Sequence, residues 1–518
     1  MRTRTHRSAA PATAAVALVA LAAILAPALS AQAPAGASAP PLSAQPSPAA
    51  ASGSALAELL TGPSSRLEPD LRELTDAIGG RVTGSAGYER ALQWGLEAFR
   101  RAKVDSVKLE SYEAPARWEG LSATGAAVSP VAFPLRVVSF GLVPSTNGPL
   151  RTRLVDGGFG SRAEIEALGG AARGAIVLVD SREMRSFEDL FAEYQGGPEM
   201  MHAAAAAHAA ADLVVSTRPR DLLYRHTITW GELAPLPMAQ VAREDGERLA
   251  RLCRSGGCPT VELDLRNRVG GPWQAQNVIA EIRGSEKPDE IVLLGAHLDS
   301  WELGTGALDN GVNCALVVEA ARAIAAGPRP RRTIRFALFS GEEIGLLGSR
   351  GYVRGHRDEL ARHVAAVIHD IGDGKVKGYF TNGRPDIAAA VKRALVPAAD
   401  LGATSTDETA ILGTDNFDFL LEGVPNLVAD QETARYLADY HAESDTFDKV
   451  DLETARRNAA VAAILVFDLA NAPAAPGPRQ ARADVARILA DPKWKLDVQM
   501  KSYGLWDSWL SGERGRKP

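Results

Sequence analysis

The sequence predicts an α/β fold: a mostly parallel sheet with helices on both faces, interrupted by a β-rich inserted domain. Three observations lead there. From 275 to about 472, wholly apolar strands (EIVLLGAH, TIRFALF, VAAVIHD, VPNLVAD) alternate with amphipathic helices, the pattern of a parallel sheet covered on both sides. Residues 55–110 read as helices (LAELL, then AGYERALQWGLEAFRRAKV) running into a strand, VDSVKLESYE, and belong with that later part. Between about 117 and 273 the texture changes to short β-like runs punctuated by Pro and Gly, as in a separate small core.

At 518 residues the chain is too long for one ordinary core, and two domains are expected. Its 57 basic and 63 acidic residues are interspersed, with no basic stripe to hold a phosphate backbone, so nucleic acid is not an expected partner. Basic residues in MRTRTHR precede an apolar run over 14–26 that ends in Ala28-Leu29-Ser30. This predicts a signal peptide, 1–30, cleaved after Ser30, and a secreted or periplasmic product. The run is short for a bilayer span of ~20 residues, and no stable span is expected after cleavage. Residues 31–54, almost only Ala, Pro, Ser, Gly and Gln, read as a low-complexity linker or pro-segment.

The main domain is expected to be discontinuous, over 55–116 and 274–472, with the insert over 117–273. The insert's runs are AAVSPVAF, LRVVSFGLV, RTRLVDG, GAIVLVD, ADLVVST and TVELDLR, with one alanine-rich helix, MMHAAAAAHAAA. Gly157-Gly158-Phe159-Gly160 lacks the spacing of a phosphate loop and reads as a turn. Cys253 and Cys258 flank a short Ser-Gly-Gly loop and either form a disulfide or stay as two thiols; Cys314, in an apolar helix, packs as a small hydrophobe. The tail, 473–518, holds a short helix and a Trp-rich end and has no role assigned from sequence.

In open α/β sheets, ligands bind beyond the carboxyl ends of the strands, and there the acids and histidines collect. EIVLLGA ends in His297, with Asp299 two residues on; TIRFALF runs into Glu342 and Glu343; VAAVI runs into His369 and Asp370. Asp309 stands in a Gly-rich loop before a helix, and His441 follows VPNLVAD. Imidazole nitrogens with carboxylate oxygens suit zinc, and thiolates are absent. Five ligands serve two Zn2+ ions per chain if Asp309 bridges. One ion would then take His297, Asp309 and Asp370, the other Asp309, Glu343 and His441. Glu342 is free to act as general base. Asp299 shares a strand face with His297 if the strand continues, and would accept the imidazole's other N–H. The remaining histidines, His202, His208, His226, His356, His363 and His369, show no such placement; His369 should face away from Asp370.

GAHLDSWELGTGALDNGVNCALVVEAARAI followed by RPRRTIRFALFSGEEIGLLGS closely resembles the dinuclear zinc exopeptidases related to bacterial aminopeptidases, nearest to the plasma glutamate carboxypeptidase branch. GTDNFDFLLEGVPN and YHAESDTFDKVD match later segments in order, and the resemblance spans about 60–472. It implies a zinc exopeptidase fold, and a protease-associated-like insert marked by LPMAQVAREDGERL. It also implies hydrolysis of dipeptides or short peptides with a free terminus. The implied ligands fall on the same five residues and the base on Glu342, with Asp370 preferred to Asp373. Tyr440 stands where related carboxypeptidases carry a tyrosine, and either donates to the oxyanion or simply packs. Family members often dimerise, so a homodimer is a possible assembly. A transferrin-receptor-like binding protein and a single-zinc glutaminyl-cyclase-like enzyme share the architecture, but neither needs all five ligands and the base.

Overall fold

The computed structural model describes residues 48–433 and 435–517, so the signal peptide and most of the linker lie outside the described residues. Helices α1 (Pro48–Thr61), α2 (Leu67–Arg72) and α3 (Ala86–Arg101) lead into β1 (Ser106–Ala114), and α1 begins inside the segment read as linker. Next come β2 (Arg117–Ser129), β3 (Phe133–Leu135), β4 (Val137–Ser139), β5 (Leu150–Asp156), α4 (Arg162–Ala167) and β6 (Ile176–Val179). They are followed by α5 (Phe187–Ala206), β7 (Ala211–Val215), β8 (Met238–Val241), α6 (Arg243–Arg254) and β9 (Thr260–Gly270). Strands β2 to β9 form one eight-stranded sheet, ordered β3-β2-β9-β5-β6-β7-β8-β4, with apolar clusters of its own.

The chain leaves the first sheet after β1 and re-enters it at β10 (Trp273–Ile282), β11 (Lys287–His297), α7 (Val312–Ala325), β12 (Arg332–Phe339) and α8 (Leu347–Gly355). It continues through β13 (His363–Ile368), β14 (Val376–Phe380), α9 (Pro385–Leu395), β15 (Ser405–Asp407), α10 (Phe417–Leu421) and β16 (Asn426–Gln431). The short α11 (Tyr436–Asp439) and the long α12 (Leu452–Asn471) complete this part. The strand order is β1-β10-β12-β11-β13-β16-β14-β15. β12, β11, β13 and β16 run parallel at its centre, while β1, β10 and β14 pair antiparallel towards the edges. One face packs against α1, α2, α3, α7, α9 and α12, and the other against α8 and α10. Among the described residues no helix is long and apolar enough to cross a membrane.

Four local readings change. β10 was not foreseen, because its first half, WQAQ, alternates polar with apolar and is only partly buried. α6 is missing from the sequence-based elements, although its apolar residues recur at helical spacing. α5 starts at Phe187, before the alanine-rich stretch, on a Ser186–Asp189 capping box, and runs through Pro198. Gly197 lets the helix meet Ile228 so closely that a Cβ would lie 2.5 Å from its Cγ2. α8 starts at Leu347, later than Ile344, after positive φ at Gly341, Gly345 and Leu346.

Cys253 and Cys258 are joined as a disulfide, and Cys314 is free and buried. The tail folds as α13 (Arg482–Leu489), α14 (Leu496–Ser502) and α15 (Trp506–Ser511). Its apolar side packs on Leu346, Phe417 and Leu421, and the buried Arg514 makes two hydrogen bonds to Asp418, at 2.7 and 2.9 Å.

Candidate metal centre

The four central parallel strands end at one edge, and each ends in a site residue or the loop that carries one. His297 is the last residue of β11, Glu342 and Glu343 follow β12, Asp370 follows β13, and His441 lies between α11 and α12, after β16. Asp309 sits in the turn before α7, where the peptide to Asn310 is cis. Except for Glu342, which is partly exposed, all are buried.

Two groups result. His297 Nε2 lies 3.1 Å from Asp309 Oδ1 and 2.8 Å from Asp370 Oδ1. His441 Nε2 lies 3.2 Å from Asp309 Oδ2 and 2.8 Å from Glu343 Oε2. In each group the three ligand atoms fall within 4.8 Å of one another, and Asp309 turns one oxygen to each. These are the two sets expected from sequence.

The turn bearing Asp309 is held from behind. Asp445 accepts the N–H groups of Ala307, Leu308 and Asp309 at 3.0, 2.6 and 3.1 Å. Buried Arg81 donates to the carbonyls of Leu298, Thr305 and Gly306, at 2.7, 2.7 and 2.9 Å. Asn310 Nδ2 reaches the His369 carbonyl at 2.9 Å and Asp370 Oδ1 at 3.2 Å. His369 itself faces away from the centre and meets the Tyr379 hydroxyl at 2.9 Å. Asp373 accepts the Asp451 N–H at the start of α12, 2.5 Å away, and takes no part in either group.

Asp299 requires a correction. β11 stops at His297, and the imidazole Nδ1 meets the backbone carbonyl of Asp299 at 2.9 Å, with the carboxylate farther off at 3.8 Å. The Asp299 carboxylate instead accepts the Glu342 N–H at 3.3 Å and so ties the β12 loop to the end of β11. That loop turns at Gly341, φ +70, where a Cβ would lie 2.7 Å from the Tyr112 hydroxyl.

The electrostatics ask for a cation. Burial, with Asp309 close by, raises Glu343 to about 7 even though His441 opposes it. Burial raises Glu342 well above the carboxylate range, His297 opposing and Asp370 and Glu343 adding to it. Burial opposes the charge on His441, yet Glu343 and Asp309 raise it to about 9. The site collects more negative charge than its two imidazoles balance. Glu343 Oε1 is buried without a hydrogen-bond partner among the described residues, and an uncompensated buried carboxylate costs on the order of several kcal/mol. Imidazole nitrogens and carboxylate oxygens grouped in threes fit two divalent ions.

An aromatic wall surrounds His441, and sequence reasoning found only part of it. Tyr440 stacks on the imidazole with centroids 3.7 Å apart, and Trp301 approaches it edge-on at 6.2 Å. Tyr436 lies close enough to Asp309 to feel its charge. Burial, with neighbouring acidic and phenolic groups, holds Tyr194, Tyr436 and Tyr440 well above the usual phenol range, so all three keep their hydroxyl hydrogens. Asp415, buried within the quoted GTDNFDF segment, is raised to about 8, first by burial and then, against His297, by Asp370. Its GTD placement was the available signal; Tyr194 and Tyr436 offered none.

Residues 277–466 match the model of peptidase family M28. Carboxypeptidase Q of Mus musculus is 26% identical over 404 residues, covering 77% of this chain and 84% of its own. The probable lipoprotein aminopeptidase LpqL of Mycobacterium tuberculosis is 25% identical over 417 residues, 74% of this chain and 79% of its own. A peptidase M28 precursor from Shewanella amazonensis superposes with a TM-score of 0.74 at 29% identity, covering 84% of this chain and 99% of that one. The fold is shared with a zinc aminopeptidase from Bacillus subtilis, at a TM-score of 0.63 and 22% identity over 80% of this chain and 97% of that one. His297, Asp309, Glu342, Glu343, Asp370 and His441 all lie within the segment that matches the model of peptidase family M28.

Proposed function

We propose that the protein is an exported dinuclear zinc exopeptidase that hydrolyses peptide bonds in dipeptides or short peptides bearing a free terminus. The observation that carries this reading is Asp309, whose two oxygens face two separate histidine–carboxylate groups. His297 and Asp370 would complete one zinc position, and Glu343 and His441 the other. Zinc ions there would supply Lewis acidity and lower the pKa of water towards ~7.

The residues around them do the remaining work. Glu342 takes a proton from the attacking water on a carboxylate oxygen and returns it to the leaving amine nitrogen, so one side chain serves as base and then acid. Asp299, through the Glu342 N–H, keeps that loop in place. Tyr440 donates its hydroxyl to the oxygen that gains charge as the carbonyl is attacked. Residues 117–273 act as an inserted protease-associated-like domain. Export rests on the 1–30 signal reading. The retention of both ligand groups together with Glu342 disfavours a receptor-like shell or a single-zinc cyclase.

Metal analysis should find about two zinc per chain, and phenanthroline should abolish dipeptide hydrolysis, with zinc restoring it. Glu342→Gln should keep both ions and lose turnover by about 10²–10⁴-fold. A variant that hydrolyses dipeptides at the wild-type rate would overturn the assignment of the base.

A further inference from the structure

The two ligand groups are supported differently. The hydrogen bonds to His297 come from the first-sheet part of the chain: its Nδ1 meets the Asp299 carbonyl at 2.9 Å, and the Cys314 thiol of α7 donates to its backbone oxygen at 2.8 Å. His441 sits in a loop with φ +59, a left-handed conformation that is costly for a residue with a β-carbon and persists only when its surroundings fix it.

Part of those surroundings comes from the second-sheet segment. Between β7 and β8 the chain passes the His441 loop in an extended stretch. The Arg225 N–H donates to the His441 carbonyl at 3.0 Å, Tyr224 bridges to Ala442, and the Glu443 N–H donates to the Leu223 carbonyl at 3.1 Å. From α5, the Tyr194 hydroxyl comes within 3.4 Å of His441 Nδ1 and 3.0 Å of the Tyr440 hydroxyl. A layer of side chains braces Tyr194 in turn. Buried His226 packs against it, with ring centroids 5.0 Å apart, and also against Tyr224 and Phe140. Glu193, next to Tyr194, accepts from Tyr224 and from Thr217.

We propose that Tyr194 and the 223–225 stretch are positioning elements for His441, so that the second-sheet segment sets the affinity of one metal position and leaves the other to the first sheet. This rests on the dinuclear reading above. Nε2 of His441 faces Asp309 and Glu343, and a nitrogen that ligates a cation carries no proton. Nδ1 is therefore the N–H, and Tyr194 accepts from it. The Tyr194 hydroxyl hydrogen then turns to the Tyr440 oxygen, which leaves the Tyr440 hydrogen free to point into the site. Partners of this kind fix the ring orientation and tautomer of a ligating histidine.

The test uses the full chain. Metal-free protein is titrated with Zn2+ against a chromogenic chelator, and His441→Ala identifies the isotherm that belongs to its group. Tyr194→Phe, which removes one oxygen from a buried site, should weaken that isotherm by about tenfold. The other should stay within about twofold, and the melting temperature of the metal-free protein should not change. Unchanged affinities in Tyr194→Phe, or equal weakening of both, would overturn the positioning role while leaving the peptidase reading intact. Fewer than two zinc on the wild type would instead overturn the dinuclear reading. A second measurement needs no variant: in the two-zinc wild type, ¹⁵N NMR should show His441 protonated at Nδ1. A bare Nδ1 would overturn the role of Tyr194 as acceptor.

Discussion

The first sheet and the second-sheet segment make opposite kinds of contribution to the same centre. The first carries every candidate ligand, on strand ends and turns fixed by a core packed on both faces. The second carries none among the described residues, yet it helps to hold the backbone and ring of His441. Chemistry can therefore be read from one region, and part of the geometry that makes it work resides in the other. Substitutions should separate the two.

The largest effect belongs to the residue both groups share. Asp309→Ala takes a ligand from each, so zinc content should fall towards zero and turnover to background, as metal analysis and a dipeptide assay will report. If one ion stayed at full occupancy, Asp309 would not be the bridge. Tyr440→Phe should be milder: kcat lower by about 10²-fold with KM little changed, as expected for one lost oxyanion donor. A rise in KM alone would make Tyr440 a packing residue. The smallest effect should come from the far side of the second sheet. Cys253→Ser opens a short disulfide loop, which should cost at most about 2 kcal/mol of stability in a denaturant melt. Hydrolysis and zinc affinity should not change, because the disulfide lies in a core cluster that contains neither Tyr194 nor the 223–225 stretch. A loss of zinc would mean that the whole segment, not one edge of it, supports His441.

The same division governs how much was legible in the sequence. The central strands announce themselves because an apolar run that ends abruptly in His or Asp places a costly polar group at the edge of a core, where it needs a partner. The five candidate ligands and Glu342 were read from that pattern. Strand β10 and helix α6 were harder, since partial burial dilutes periodicity. Asp299 was given the right neighbour but the wrong atom, because β11 ends two residues sooner than its alternation needs. Tyr194 lies 247 residues from His441 in the chain, and no spacing rule links them. His226 lacks the strand-end placement of the candidate ligands in sequence; only the fold buries it behind Tyr194.

The 223–225 stretch engages the His441 loop through main-chain donors and acceptors. Such pairing is indifferent to most side chains, so Leu223 could drift to almost any residue with its carbonyl still in place. Proline at 225 or 443 is the exception, because it removes a donor. Two proteins could thus keep the same clamp without one residue of it in common. Its inheritance would be visible in superposed backbones and missing from an alignment of letters.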